Sequence, residues 1–243
     1  MRILGIIPAR LKSTRLPEKM LKKINGKPLI YYTWRQAKKV KLLDEVVVAT
    51  DSEKIIKAVR KFGGETITTS SKNRTGTDCV AEAARKYKKF RPDIVINIQG
   101  DEPLISPDAI TAAATLLIED KKVPMGTIGI PMSKSDKEIA NPNAVKVILA
   151  NNGYAIYFSR SVIPYARNPH KKYWRHVGMY AYRYDMLQKF SRLPKTPLEK
   201  AESLEQLRLL ESGFPIKVKI GNYTSVSVDT QADLKRVRKL LTH

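Results

Sequence analysis

A chain of 243 residues, 42% of them hydrophobic, is long enough for one large domain or two small ones and too apolar for wholesale disorder. No stretch reaches transmembrane length, and the apolar run at 3–7 is too short for a signal peptide and meets Pro8 and Arg10 at once. The single cysteine, Cys79, excludes an internal disulfide framework and a cysteine-rich zinc site, so a cytoplasmic protein is the default expectation.

The net charge of +22 invites a polyanionic partner. Much of the lysine, however, is scattered in pairs along expected helices: Lys22–Lys23, Lys38–Lys39, Lys88–Lys89, Lys121–Lys122 and Lys171–Lys172. The sequence shows no zinc finger, repeat or aromatic-basic platform beside it. Most of this charge reads as solvated surface, and nucleic acid is disfavoured as a partner.

In chain order, residues 3–7 read as a buried strand that Pro8 ends. The loop at 9–19 follows, with Arg10, Lys12, Arg15 and Lys19, with Ser13 and Thr14 between them, and no acid before Glu18. Cations at the carboxyl end of an inner strand make a polyphosphate site, because ligands of open α/β sheets bind there. The competing reading is a solvated basic loop. A helix is predicted over 29–39 with Pro28 at its first position. A buried strand follows at 45–50, then a helix at 53–62 capped by Asp51 and ended by Gly63 and Gly64. Next come a strand at 66–69, a polar loop at 70–76, a helix at 78–89 opened by Thr77, and a strand at 93–98. That last strand runs into Gln99, Gly100, Asp101, Glu102 and Pro103, and a further helix starts at Ser106, Pro107 and Asp108. This alternation predicts an α/β fold with an open, largely parallel, Rossmann-like sheet flanked by helices.

The second half changes character. A hairpin is predicted from 145–149 and 154–158 across the Asn-Gly turn at 151–153. After it come a loop at 167–172, a strand at 177–182, a helix at 197–211 closed by Gly213, a strand at 214–220 and a helix at 231–241. It forms a smaller, mixed β subdomain inserted in, or packed on, the first half.

Asp101 and Glu102 stand where a buried strand ends, and Asp229 follows an apolar-alternating run at 225–228. Two such Asp residues can hold one Mg²⁺ and leave positions for phosphate and water. Alternatively each Asp caps the following helix, which fits Asp101 less well because Ser106 is the better cap there. His176 reads either as a structural histidine or as a site residue. Glu205 and Gln206 read as a helix's wet face, and Arg160 as a carboxylate binder or a surface ion-pair partner. Neither a Walker A sequence nor a Gly-x-Gly-x-x-Gly signature occurs, and no Ser or Cys sits in a nucleophile elbow.

Several runs, in order from end to end, resemble the 3-deoxy-manno-octulosonate cytidylyltransferase (CMP-KDO synthetase) family. In the first half they are Ile7-Pro8-Ala9-Arg10, Ser13-Thr14-Arg15-Leu16-Pro17 with Lys19, Asn25-Gly26-Lys27-Pro28, Val48-Ala49-Thr50-Asp51, Gly76-Thr77-Asp78 and Asn97-Ile98-Gln99-Gly100-Asp101-Glu102-Pro103. In the second they are Asn141-Pro142-Asn143-Ala144-Val145-Lys146, Tyr157-Phe158-Ser159-Arg160, Arg175-His176-Val177-Gly178, Leu204-Glu205-Gln206-Leu207-Arg208, and Val228-Asp229-Thr230 with Asp233-Leu234.

The resemblance implies the nucleotide-diphospho-sugar transferase fold in a single domain, 1–243. Residues 1–135 would bind nucleotide, 140–225 would bind sugar and dimerise, and 226–243 would return to the metal site. It implies transfer of CMP from CTP to 3-deoxy-manno-octulosonate with release of pyrophosphate, for lipopolysaccharide or related glycan synthesis. An 8-amino analogue or another ulosonic acid is the alternative acceptor, and a non-catalytic polyanion-binding protein is the reading from another class. The anomeric hydroxyl would attack the α-phosphorus in line, without a covalent enzyme intermediate. Arg10, Arg15 and Lys19 would hold the triphosphate, and Asp101 and Asp229 an Mg²⁺. Pro8, Ala9 and Gly76, with Ser13, Thr75 and Asp78 nearby, would serve the nucleotide. Gln99, Arg160, His176, Tyr180, Glu205 and Gln206 would line the sugar pocket. A homodimer and a cytoplasmic location follow by the same resemblance.

Three positions depart from the family pattern. Glu18 stands where Gly is usual, Cys79 where Arg usually follows Gly-Thr-Asp/Glu, and Thr75 where Ser is usual. The loop at 163–174 is short and lysine-rich.

Overall fold

The structure is a computed structural model describing residues 1–241 apart from 12, 14, 134–136, 169 and 171. Lys12 and Thr14 of the basic loop and part of the loop at 167–172 therefore lie outside the described residues. The chain divides into two units: Met1–Thr111 with Thr224–His243, and Ala112–Tyr223 between them.

The first unit begins with β1 (Ile3–Pro8), whose six residues are all buried. A two-stranded ribbon, β2 (Lys23–Ile24) and β3 (Lys27–Pro28), leads into α1 (Leu29–Ala37). Pro28 is the residue before the first turn rather than its first member, since its ψ of 151° is extended. Then come β4 (Glu45–Thr50), α2 (Glu53–Arg60), β5 (Glu65–Thr68), α3 (Gly76–Lys86), β6 (Ile94–Asn97) and α4 (Pro107–Glu119), within which the first unit gives way to the second. Strands β6, β1, β4 and β5 pair in that order, all parallel. Such a sheet is buried on both sides, which is why its strands are continuous apolar runs. Helices α1, α2 and α3 pack on these strands.

Two expected caps move. Ser52, not Asp51, precedes α2, and it makes no side-chain cap hydrogen bond. Helix α3 starts earlier than expected because Thr75, not Thr77, is its cap: Thr75 Oγ1 accepts from Asp78 N while Asp78 accepts from Thr75 N. That reciprocal box satisfies two amides that a helix start leaves bare.

The second unit contains β7 (Met125–Met132), β8 (Lys146–Leu149), β9 (Ala155–Ser159), β10 (Tyr173–Arg183), α5 (Tyr184–Phe190), α6 (Pro197–Glu202), α7 (Leu207–Glu211) and β11 (Ile216–Ile220). The sequence reading contained neither β7 nor α5. Strand β7 pairs parallel with β11 and antiparallel with β10, β10 pairs antiparallel with β8, and β8 with β9 through the expected turn at Gly153. Strand β10 is longer than the expected 177–182, and its register slips between Val177 and Tyr180.

The expected helix over 197–211 is broken into α6 and α7. Ser203 has a φ of 51°, a left-handed conformation that ends α6. Glu199 Oε2 then accepts from Arg208 Nε at 2.7 Å, and both side chains are buried. In one straight helix residues nine apart would stand about 13.5 Å from each other along the axis. The pair can form only because the chain folds back between them.

After β11 the chain returns to the first unit and ends in α8 (Gln231–Leu240), capped by Thr230 with Asp233 in a second reciprocal box. Asp229 is thus not this helix's cap, and its carboxylate is free for other work. Among the described residues no helix is long and apolar enough to cross a membrane.

Candidate functional site

In the first unit, the site is built where β1 and β6 end. Ala9 N donates to Ala49 O at 2.8 Å, which extends the β1–β4 ladder into the loop. Gly100 follows β6, and a Cβ there would stand 2.8 Å from Pro8 O, so only glycine permits this approach. Thr33 Oγ1 holds the Gly100 carbonyl at 2.9 Å. Val228 N donates to Asp101 O, which brings the next residue, Asp229, beside the β6 end.

Lys19 opens a short 3₁₀ turn, Lys19–Leu21, and is 7% exposed. Its Nζ donates to Asp101 Oδ2 at 2.6 Å and to Asp229 Oδ1 at 3.0 Å. Arg15, exposed, pairs with the same Asp229 oxygen at 3.0 Å. Burial works against the Lys19 charge, but the two carboxylates outweigh it and raise the ammonium pKa above its ordinary value. Two carboxylates converging on one cation form a hard, anionic oxygen pair. Glu102 is not part of it: its Oε2 accepts from Ser225 Oγ at 2.6 Å.

Arg10 does not converge with these groups. Its guanidinium donates to the carbonyls of Asn73, Arg74 and Thr75 and so holds the turn before α3. Glu82 anchors the other side of that turn, accepting from Ser70 N at 2.9 Å and Asn73 Nδ2 at 2.6 Å. A cavity of about 260 Å³ lies here, lined by residues including Ala9, Arg10, Thr50, Thr69, Asn73 and Cys79. Gly76 opens α3, and Pro8 Cγ lies 3.8 Å from where a Cβ on it would be. Ser13 is half-buried.

The departures from the family pattern find their places. Cys79 is buried, with Sγ 3.2 Å from Thr69 Oγ1, and burial pushes its thiol pKa up. Glu18 takes a left-handed φ of 51°, where glycine is the natural occupant. Its carboxylate pairs with Lys54 at 2.7 Å and takes no part in the Lys19 cluster.

A second cavity in this unit, about 530 Å³, is lined by Lys23, Lys27, Lys54, Lys57 and Lys61 over Leu21 and Phe62. Phe62 also meets Tyr31 and Trp34 at ring separations of 5.3 and 5.0 Å. Lys27 Nζ stands 5.6 Å from the centroid of the Tyr31 ring.

In the second unit, four of the expected sugar-pocket residues gather. His176 and Tyr180, on either side of the β10 slip, have rings 5.4 Å apart, and Phe158 lies against His176 at 4.8 Å. Tyr180 Oη donates to Gln206 Oε1 at 3.1 Å. The Tyr180 phenol is raised well above its ordinary range by burial first and by the Glu205 carboxylate second. His176 is held down to about 3 by burial, with Arg175 adding to the effect, so it is neutral at any working pH. Gln206 precedes α7, and the fold-back after Ser203 is what carries it inward instead of leaving it on a wet helix face.

Arg160 is committed elsewhere. It donates to the carbonyls of Glu202 at 2.7 Å and Pro142 at 3.0 Å, and its own carbonyl accepts from the buried Lys146. Gln99, in the first unit, contacts Asn97 Oδ1 through Nε2 at 3.4 Å. Residues that sequence reasoning missed include Thr127, which contacts His176, and Glu82; neither belongs to a motif.

The family model for cytidylyltransferases matches residues 4–220. The 3-deoxy-manno-octulosonate cytidylyltransferase of Chloroherpeton thalassium is 48% identical over 99% of this chain and 98% of its own. The enzyme of that name from Fusobacterium nucleatum is 46% identical over 98% of this chain and 96% of its own. A solved structure of CMP:2-keto-3-deoxy-manno-octonic acid synthetase complexed with CTP superposes with a TM-score of 0.94 at 41% identity, covering 100% of this chain and 99% of that one. The structure of 4-diphosphocytidyl-2C-methyl-D-erythritol synthase from Anaerococcus prevotii, at 16% identity and a TM-score of 0.64, shares the fold. A parallel α/β unit ending in two converging carboxylates, together with these full-length likenesses, shows that the chain belongs to the cytidylyltransferase family, among the 3-deoxy-manno-octulosonate cytidylyltransferases.

Proposed function

We propose that the protein joins CTP to 3-deoxy-D-manno-octulosonate, giving the CMP-sugar and pyrophosphate. The observation that carries this reading is the convergence of Asp101 and Asp229 on Lys19 beside the loop that follows β1. That arrangement suits a triphosphate and a divalent cation together. Among the described residues no group of three or more His, Cys, Asp or Glu forms a cage. Two carboxylates are what Mg²⁺ needs when substrate phosphate completes its shell. Asp101 and Asp229 would hold Mg²⁺, whose chemistry there is to offset phosphate charge and lower the pKa of the attacking anomeric hydroxyl.

The chain's own residues position and neutralise. Lys19 exchanges a carboxylate for phosphate oxygens when the nucleotide binds, and Arg15 follows from Asp229. Both then offset charge growing on the leaving pyrophosphate. Arg10 shapes the nucleotide pocket by holding the turn at 73–75 and serves the phosphates from there. Pro8, Ala9 and Gly76 present backbone to the base, with Ser13, Thr75 and Asp78 nearby. Gln99, His176, Tyr180, Glu205 and Gln206 bind the sugar, and Arg160 shapes that pocket through the carbonyls it holds. The sugar hydroxyl attacks the α-phosphorus in line, with no covalent enzyme intermediate.

The whole chain acts as one nucleotidyltransferase domain, working as a cytoplasmic homodimer in lipopolysaccharide synthesis. The basic surface draws in two anionic substrates. Neither nucleic acid nor insertion into a membrane is part of this function.

The test is pyrophosphate release from CTP with Mg²⁺, comparing 3-deoxy-D-manno-octulosonate, its 8-amino analogue and sialic acid. Release with the first sugar is expected. Silence with all three, together with no CTP binding, would sink the reading.

A further inference from the structure

Thr127, in the middle of β7, is fully buried and lies opposite Tyr180 in the β7–β10 ladder. The neighbouring pairs in this ladder are Val177 opposite Ile128 and His176 opposite Gly129, so Gly178 and Met179 are extra residues between the paired positions Val177 and Tyr180. Three groups surround the Thr127 hydroxyl oxygen: Met179 O at 2.7 Å, Val177 O at 3.2 Å and His176 Nε2 at 3.0 Å.

A threonine hydroxyl has one proton and two lone pairs. Both carbonyls can only accept. Were the proton given to His176 Nε2, both carbonyl oxygens would face the hydroxyl's lone pairs with no proton between them. The arrangement that satisfies the group sends the proton to Met179 O, at the shortest distance, and takes a hydrogen bond from an N–H on His176 Nε2. We infer that Thr127 is a positioning residue that fixes His176 as its Nε2–H tautomer and thereby presents Nδ1 as a hydrogen-bond acceptor for the acceptor sugar. Among the described residues Nδ1 has no hydrogen-bond partner. The ring is held edge-on by Phe158 and beside Tyr180, so it cannot turn to exchange its nitrogens cheaply.

The inference rests on the sugar-pocket reading above and deepens it. His176 then offers neither a positive charge to the sugar's carboxylate nor a proton to a leaving group. It accepts a hydrogen bond from a sugar hydroxyl, and so tests for the presence of that hydroxyl. A site built to hold a hydroxyl rejects analogues that lack it, because its own polar atom is left unpaired.

Imidazole nitrogen shifts decide the tautomer, and with only three histidines in the chain the His176 signals are assigned by comparison with His176→Gln. The full-length wild type is expected to show Nε2 protonated and Nδ1 bare, without titration between pH 5 and about pH 8. Thr127→Val removes both hydrogen bonds at nearly constant shape. It is expected to mix the tautomers and to raise the KM for the sugar about tenfold while the KM for CTP stays put. Thr127→Ser is expected to restore both. A wild-type spectrum with Nδ1 protonated, or a folded Thr127→Val enzyme with an unchanged sugar KM, would overturn the inference. The wild-type spectrum needs no variant to fold and no turnover. Silence of the wild type with every ulosonic acid would overturn the proposed reaction, and is told apart from a wrong tautomer by that spectrum.

Discussion

Lys19 Nζ lies 2.6 Å from Asp101 Oδ2 and is the cation around which both site carboxylates are drawn. A buried ammonium survives only when paired, and here it has two partners. Asp101→Ala leaves it Asp229, and Asp229→Ala leaves it Asp101, so each variant should fold. Each should lose at least about a hundredfold in kcat, the scale of removing a group that stabilises transition-state charge. Pyrophosphate release with a parallel melting curve checks both statements. Appreciable turnover in either variant would remove that carboxylate from the metal site.

Lys19→Met should fold less well for a different reason. It deletes the cation that, alone among the described residues, contacts both carboxylates, and leaves them facing each other, with Arg15 on Asp229 alone. Turnover should fall, and adding Mg²⁺ should raise the melting temperature of this variant more than that of the wild type. Equal Mg²⁺ shifts would show that the carboxylates do not share a cation site.

Glu82 is expected to couple the turn at 70–73 to nucleotide binding. Burial raises its pKa, but hydrogen bonds from Lys86, Ser70 N and Asn73 outweigh that effect and leave it below the ordinary carboxylate value of about 4.5. A depressed folded-state pKa stabilises the fold above the unfolded value, and that contribution is lost as pH falls through the folded one. The turn at 70–73 should therefore loosen only in acid, below pH 4.5 or so, and Glu82→Gln should show weaker CTP binding already at neutral pH. CTP titrations at neutral pH with both proteins check this. Equal affinities would separate the turn from the nucleotide.

Cys79 should be inert. It is 2% exposed, and burial raises its pKa, so little thiolate forms at neutral pH. Alkylation by iodoacetamide should be slow in the native protein and complete in denaturant. Protection of Cys79 from residual labelling by CTP would further place the nucleotide in the cavity this residue lines; CTP-independent labelling would not.

Glu18→Gly should leave kcat within about twofold, because the Glu18 carboxylate is turned to Lys54 on the exposed side. A large gain in activity would mean that the carboxylate does reach the phosphates.

The parts of the site legible in the sequence were those carried by local pattern. An apolar run ending in Pro8 and a basic loop, or a strand ending in Gly-Asp-Glu-Pro, announce a ligand edge before any contact is known. Asp229 was ambiguous until Thr230 proved to be the cap of α8. What the sequence hid depends on distant partners. The break at Ser203 is what lets Glu199 and Arg208 pair in the interior, and an uninterrupted helical pattern in the sequence covers it. Thr127 looks like any strand threonine, and its role exists only because β10 loops out two residues beside it. Nothing local in the sequence announces that Arg160 donates to the carbonyls of Glu202, at the end of α6, and of Pro142.

The first unit is discontinuous: Asp101 lies in its opening segment and Asp229 in its closing one, with Ala112–Tyr223 between. On the ribosome, the four parallel strands emerge and can pair long before the second carboxylate exists. At ordinary synthesis rates that interval is on the order of ten seconds. On the proposed reading, a nascent chain is expected to pass through a stage in which the strands that would cradle the nucleotide are paired and Lys19 has Asp101 alone as its partner. Capacity to bind nucleotide is expected to precede capacity to turn it over, with catalysis expected to begin only once the last few residues before α8 are made.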